Sequence, residues 1–177
     1  MWFFKKNDKK KAESPESQLK TAADYMKKGD DFTRRHEFAE AEKWYLKCLS
    51  ILEPLSEQYE STYILRELSR TYSMLNVLGR AVTDEKKRAE APGWLKKSLE
   101  IDEKLAEQSG TPQAYDDLAC SYSGLGGTTF DISYCEKALA IWERLHAQYP
   151  NERLYVKRIE DEKYNIEKLK AYLSRTK

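Results

Sequence analysis

WYLKCLSI occupies residues 44 to 51, WLKKSLEI residues 94 to 101 and YCEKALAI residues 134 to 141. In each, apolar residues recur at three- and four-residue spacing, the stripe of an α-helix rather than the alternation of a strand. The likeness extends beyond these octets. Trp44, Cys48, Ile51, Leu55, Leu68, Tyr72 and Leu75 return fifty positions later as Trp94, Ser98, Ile101, Leu105, Leu118, Tyr122 and Leu125. With a shift of forty, Trp94, Ser98, Ile101 and Leu105 return as Tyr134, Ala138, Ile141 and Leu145. Seven matches at one offset are hard to obtain from chance amphipathicity. They mark a unit that cannot bury its apolar face alone and is completed by stacked copies of itself.

Outward from these octets the chain reads as seven helices without a convincing strand. The first begins near Ser17, with Leu19, Ala22, Ala23 and Met26 on its stripe. The second runs from about Phe38 to Gln58, where Pro54 predicts a kink or an early end. A third spans about Ser61 to Leu78, and a fourth about Pro92 to Gln108. Thr111 caps a fifth, with Pro112 at its first position where a missing N–H costs nothing. That helix is expected to stop at Leu125, in front of Gly126-Gly127. Asp131 caps the sixth, which runs to Gln148, and Asn151 caps a last, charged helix to about Arg175. Short connections make neighbours antiparallel.

The repeat resembles a tetratricopeptide repeat (TPR) protein. LACSYSGLGGTTFDISYCEKALAI, residues 118 to 141, lies on the family consensus without a gap, and Leu118, Tyr122, Gly126 and Ala138 meet it. Tyr25, Gly29, Phe32, Ala41, Tyr45 and Cys48 do the same in the first repeat, with Pro54 near the closing proline. The departures are Asp131 where Ala is expected, Cys135 for an aromatic and Ser69 for Gly. A ten-residue insertion also lies within GRAVTDEKKRAEA, 79 to 91. The resemblance implies an all-α, right-handed stack of three TPR-like hairpins, about 18–58, 61–108 and 112–148, with a polar capping helix at 151–175. Residues 1–17, lysine-rich and then Ser/Pro/Glu-rich, are expected to form a disordered basic tail.

Lys plus Arg numbers 31 against 30 for Asp plus Glu, a net charge of +1 that argues against nucleic-acid binding. No apolar run approaches a membrane span. The start, MWFFKKNDKKK, lacks the apolar core of a secretory signal, so the expected compartment is cytoplasmic. Cys48, Cys120 and Cys135 form no C-x-x-C pair and imply neither a zinc site nor a disulfide framework. Cys48 and Cys135 lie on apolar stripes. His36 and His146 stand apart in charged surroundings, and no nucleotide-binding, nucleophile-elbow or zincin motif is present. Asp30-Asp31, Asp116-Asp117 and Glu160-Asp161-Glu162 are expected to solvate a face. No enzyme and no cofactor is implied.

In the TPR family the first helices of the hairpins line a concave, partner-binding surface. Carried over by position, that surface holds Ala23, Met26, Asp30 and Arg34 in the first repeat. It holds Tyr63, Arg66, Arg70 and Met74 in the second, and Gln113, Asp116, Cys120 and Gly124 in the third. The family's carboxylate-clamp places hold Met26, Asp30, Gln113 and Asp117, so that clamp is not present. Arg66 and Arg70, one turn apart, suit a carboxylate bidentately, with Tyr63 offering a flat surface beside them. They are equally suited to pairing with Asp30 and Asp116 across the groove, and both readings stay open here. The expectation is an interaction module for a protein or peptide partner, acidic or mixed in charge, anchored by Tyr63, Arg66 and Arg70. Arg34 and Asp116 would then set charge selectivity. The alternative is a self-associating scaffold, held at a membrane by Trp2, Phe3, Phe4 and the lysines that follow.

Overall fold

The computed structural model describes residues 13–82 and 84–175. Within them lie α1 (Pro15–Arg34), α2 (Phe38–Gln58), α3 (Thr62–Ala81), α4 (Glu85–Ser109), α5 (Pro112–Thr129), α6 (Ile132–Gln148) and α7 (Arg153–Arg175), with no strand among the described residues. Every consecutive pair of helices packs together, most extensively α3 with α4, α1 with α2 and α5 with α6. The fold is an all-α stack of helical hairpins.

Several helix starts follow local chemistry legible in the chain. Thr111 Oγ1 accepts from the Ala114 N–H ahead of Pro112, and Asp131 Oδ1 accepts from the Ser133 N–H at 3.0 Å. Ser14 caps α1 by accepting from Ser17 N–H, with Pro15 at the first position. Helix α1 therefore reaches into the stretch expected to be tail, while the tail's residues 1–12 lie outside the described ones. At the start of α7 the side chain that accepts a backbone N–H, that of Leu154, belongs to Glu152 rather than Asn151.

Helix α2 reaches Gln58 as expected, with Pro54 inside it. Other boundaries differ from the sequence reading. The insertion is helical: α3 runs on to Ala81 and α4 begins at Glu85, capped by Asp84 Oδ1. Gly79 makes this possible, because a Cβ there would lie 2.9 Å from Ala91 Cβ and 3.0 Å from Lys87 O. Lys87, on the added turns, pairs with Glu42 of α2. Helix α5 runs through Gly126-Gly127 and ends at Phe130, whose φ of 58° places it in the left-handed region. Gly126 is a packing residue: a Cβ would meet Cys135 Sγ at 2.5 Å and Cys135 N at 3.0 Å.

The octets that open the sequence have a common structural meaning. Their first residue, Trp44, Trp94 or Tyr134, packs on an aromatic ring of the preceding helix: Tyr25 at 5.4 Å, Tyr72 at 5.8 Å and Tyr122 at 6.1 Å. Their fourth, Lys47, Lys97 or Lys137, lies over that ring pair at 4.1, 5.2 and 5.3 Å from the centroid of the octet's own aromatic. Quadrupole attraction for the ammonium thus adds to apolar burial in every hairpin. Between hairpins, the Tyr72 hydroxyl donates to Glu53 Oε1 and the Tyr122 hydroxyl to Glu103 Oε1, both at 2.6 Å. These two bonds sit fifty residues apart in sequence, as the repeat requires.

Apolar burial is continuous along the stack. Ala22, Met26, Tyr45, Leu52, Leu68 and Leu75 belong to the first cluster, Leu95, Leu118 and Leu125 to the next, and Ala138, Trp142 and Leu145 to a third. Ile166 and Leu169 join Cys135 to close the C-terminal end. Gly29 lets α1 lie on Tyr45, whose ring carbons would sit 2.5–2.8 Å from a Cβ at that position.

Candidate functional site

The two rows of helices are not equivalent. Helix α1 approaches α3 and α5 approaches α7, whereas the second helices α2, α4 and α6 show no comparable approach to one another. The first helices therefore lie on the inside of the stack's curve, and α7 takes the place of a fourth first helix. On that inner face each neighbouring pair is tied by one arginine–aspartate pair. Arg70 Nη2 of α3 lies 2.7 Å from Asp30 Oδ2 of α1, and Arg66 Nε lies 3.4 Å from Asp117 Oδ2 of α5. Arg158 of α7 lies 3.7 Å from Asp116 Oδ2 of α5.

The ladder shows which carboxylates the two arginines meet. Arg70 meets Asp30, as the pairing alternative anticipated, and Asp30 also accepts from the Tyr45 hydroxyl at 2.8 Å. Arg66 pairs with Asp117, not Asp116. Asp116 is a correction: it is buried, and its Oδ1 accepts from Trp142 Nε1 at 2.7 Å. Adjacent helix positions point about 100° apart, so only one of Asp116 and Asp117 can face Arg66. The other turns toward α6 and α7. Arg34 is exposed, pairs with Asp31 on its own helix, and stands clear of the ladder. Tyr63 is half exposed. Met26, offered by position as a groove residue, is buried in the core, so its stripe assignment holds instead.

Between α3 and α5 the inner face opens into a cleft of about 290 Å³. Arg66, Arg70 and Cys120, of the expected site residues, line it together with Glu67 and Asp117. Tyr63, Arg34, Asp30 and Asp116 lie outside its lining. Its floor is one the sequence reading missed. Asp102 of α4, buried, accepts from Ser69 Oγ and Ser121 Oγ at 2.6 Å each, and from Ser98 Oγ at 3.4 Å. Ser69 and Ser73 both share the Ser98 hydroxyl at 2.8 Å. Burial pushes the Asp102 carboxyl above its ordinary value, and the bonds donated by Ser121 and Ser69 oppose that rise. The signal was present in the chain. Ser69 and Ser98 stand in positions where the repeat packs Gly or Ala, and Asp102 follows Ser98 by one turn on the apolar stripe.

The remaining titratable residues fit packing better than chemistry. Burial pushes the thiols up, to about 11 for Cys48 and about 12 for Cys120 and Cys135. Cys48 donates to Ala22 O at 3.4 Å. His36 is exposed at φ 61°, and His146 is half-buried on another element. Glu162 corrects the reading of Glu160-Asp161-Glu162 as a solvated run: it is 1% exposed and accepts from Ser123 Oγ at 2.5 Å and Asn165 Nδ2 at 3.2 Å. Among the described residues no group of three or more His, Cys, Asp or Glu is placed to hold a metal, and no helix is long and apolar enough to cross a membrane.

No family model matches the chain, and no curated protein matches it. The solved structures that match it include the following two. One is the C-terminal TPR-containing domain of a Plasmodium falciparum protein described as FK506-binding, at 17% identity and TM-score 0.46, covering 94% of this chain and 98% of that one. The other is a de novo designed helical repeat protein, at 12% identity and TM-score 0.42, covering 92% of this chain and 98% of that one. The fold assignment rests on this chain's own helix order, hairpin packing and matched positions, which make it a TPR-like helical-repeat protein.

Proposed function

We propose that the chain is a non-catalytic, cytoplasmic interaction module whose inner face takes an extended or helical segment of a protein partner. The arginine–aspartate ladder beside the α3/α5 cleft carries this reading. Arg66 and Arg70 are about half exposed, at 47% and 50% of their side-chain surface, so each presents its fork while already engaged by one carboxylate. A partner carboxylate then adds to, or exchanges with, an existing pair, and the displaced aspartate takes a partner cation. A segment of mixed charge satisfies both halves of the ladder, whereas a purely acidic one leaves Asp30 and Asp117 facing like charge. That favours the mixed-charge form of the expected ligand.

The inner face is preformed by rigid helices, so docking needs little rearrangement. Partially exposed pairs of this kind contribute about 0.2–1 kcal/mol each to stability, which leaves their charges available for recognition without endangering the fold. The test is capture from the source cell's lysate by the intact protein and by an Arg66→Glu/Arg70→Glu variant of unchanged helicity. A partner retained only by the intact protein supports the groove. Equal retention by both overturns it.

A further inference from the structure

The floor of the α3/α5 cleft is richer in hydrogen-bond acceptors than in donors. Asp102, 3% exposed, lines the cleft with Ser69, Ser73 and Ser121. Its Oδ1 accepts from Ser69, and its Oδ2 accepts from Ser121 and Ser98. A carboxylate offers about four lone-pair sites, so one stays open on Oδ1. Each serine hydroxyl brings a single hydrogen and two lone pairs. The hydrogens of Ser69, Ser73, Ser98 and Ser121 are shared among Asp102 and one another. They cannot fill all the acceptor sites that the same atoms present. The surplus lies on Ser69, Ser73 and Asp102 Oδ1, side chains that line the cleft.

The charges around the cleft point the same way. Arg70 is met by Asp30, Arg66 by Asp117 and Arg158 by Asp116. Asp117 also accepts from Gln113 Nε2 at 2.8 Å, and Arg158 lies over the Trp142 ring. Each of these arginines is thus matched by one aspartate. Glu67, a lining residue of α3, and Asp102 of α4 are left over, and neither has an ion pair among the described residues. The surplus of acceptors therefore coincides with an unmet negative charge.

We propose that this cleft takes a primary ammonium group, which donates to Asp102 Oδ1, Ser69 Oγ and Ser73 Oγ. An ammonium is compact and carries three donors and no acceptor, the complement of acceptors gathered at one point. A guanidinium fork binds through both oxygens of a carboxylate, and Oδ2 of Asp102 is already taken by two serines. The cleft, of about 290 Å³, lies just below the roughly 300 Å³ at which small-ligand sites usually begin, which suits a single side chain. A lysine of the partner segment and a free amine share this chemistry. The lysine form rests on the inner-face reading above, and the amine form does not.

The test is an amide NMR titration of the full chain in low-salt buffer at neutral pH. The probes are N-acetyl-lysine methylamide, its Nζ-acetylated form, N-acetyl-arginine methylamide and butylamine. The lysine compound is expected to give saturable shifts centred on Ser69, Ser73, Asp102 and Ser121, and the acetylated compound none. Asp102→Asn, checked for unchanged helicity, should bind the lysine compound about tenfold more weakly or worse, a loss of about 1.4 kcal/mol. Ser73→Ala leaves every bond of Asp102 in place and should weaken binding about threefold or more. Tighter binding of the lysine compound than of butylamine assigns the site to a partner's side chain, and equal or tighter binding of butylamine assigns it to a free amine. No saturable shift, equal shifts with the acetylated or arginine compound, displacement by equimolar sodium, or a variant that binds as wild type does each overturns the proposal. Arg66→Glu/Arg70→Glu should keep these shifts while losing the captured partner, so failure here and failure of the groove reading are separable.

Discussion

Two glycine-to-alanine changes, both inside helices, should move stability in opposite directions. Gly93 of α4 has no heavy atom within 4 Å of a Cβ built there. Alanine gains its helix propensity without a contact to offset it, about 1 kcal/mol. Gly126 of α5 would place a Cβ 2.5 Å from Cys135 Sγ, 3.0 Å from Cys135 N and 3.1 Å from Asp131 O. Two of those atoms are backbone, so relief requires α5 and α6 to separate. Overpacking of this kind costs about 1–3 kcal/mol, and the immovable neighbours put this case in the upper half. Set against the same propensity gain, the net loss is about 1–2 kcal/mol. For a chain of 177 residues, each kcal/mol moves the melting temperature by about 2–4 °C. Gly93→Ala should therefore melt about 2–4 °C higher than wild type, and Gly126→Ala about 2–8 °C lower. Thermal melts and urea titrations by circular dichroism read both. A Gly126→Ala protein as stable as wild type would refute the close approach of α5 and α6, and with it the reassignment of Gly126 from helix terminator to packing residue.

Further predictions concern the polar groups. Asp102 has its folded-state pKa raised above 3.8 by burial, so within the window above 3.8 the native state holds more protons than the unfolded state. Stability attributable to this group must fall as pH rises through that window; urea titrations should show wild type gaining stability relative to Asp102→Asn as pH is lowered, and a wild type that loses stability relative to the variant toward acid would contradict it. Tyr122→Phe removes a bond to a carboxylate and should cost about 1 kcal/mol, read as a shift in the urea midpoint. In the wild type the Tyr122 phenol, pushed up to about 12 by burial and then by the Glu103 hydrogen bond, should ionise late in an ultraviolet pH titration. With thiols at about 11 to 12, native protein at neutral pH should alkylate far more slowly than after denaturation, and a free-thiol rate at Cys120 would overturn its description as a packing residue.

The fold was largely legible because apolar spacing, caps and a fixed offset are local or periodic signals. Ser17-to-Gln148 periodicity gave the hairpins, and Thr111-Pro112 and Asp131 gave two boundaries to the residue. What escaped depended on contacts distant in sequence. Gly126 reads as a stop until Cys135 is seen against it, and the insertion reads equally as a solvated loop or a helix extension until Gly79 is seen to admit Ala91. Asp116 and Asp117 are indistinguishable by composition, and only the rotation of α5 sends one to Arg66 and the other to Trp142. Glu162 was hidden in an acidic run, its burial set by Ser123 of a different helix. Of the candidate site, the arginine pair and Cys120 were legible and do line one cleft. The Asp102 floor was not, because it comes from α4, a second helix, reaching through to the inner face.

The central claim is that the charges of the inner face, in their particular order, select the partner. The most direct measurement is the affinity of a captured partner segment for wild type and for the swap Arg66→Asp/Asp117→Arg. The swap keeps an ion pair across α3 and α5, so stability should stay within about 1 kcal/mol, while each charge changes side. The account predicts that binding is lost in the swapped protein although its melting is preserved. Binding of equal tightness by the swapped protein would contradict it and move recognition away from the ladder.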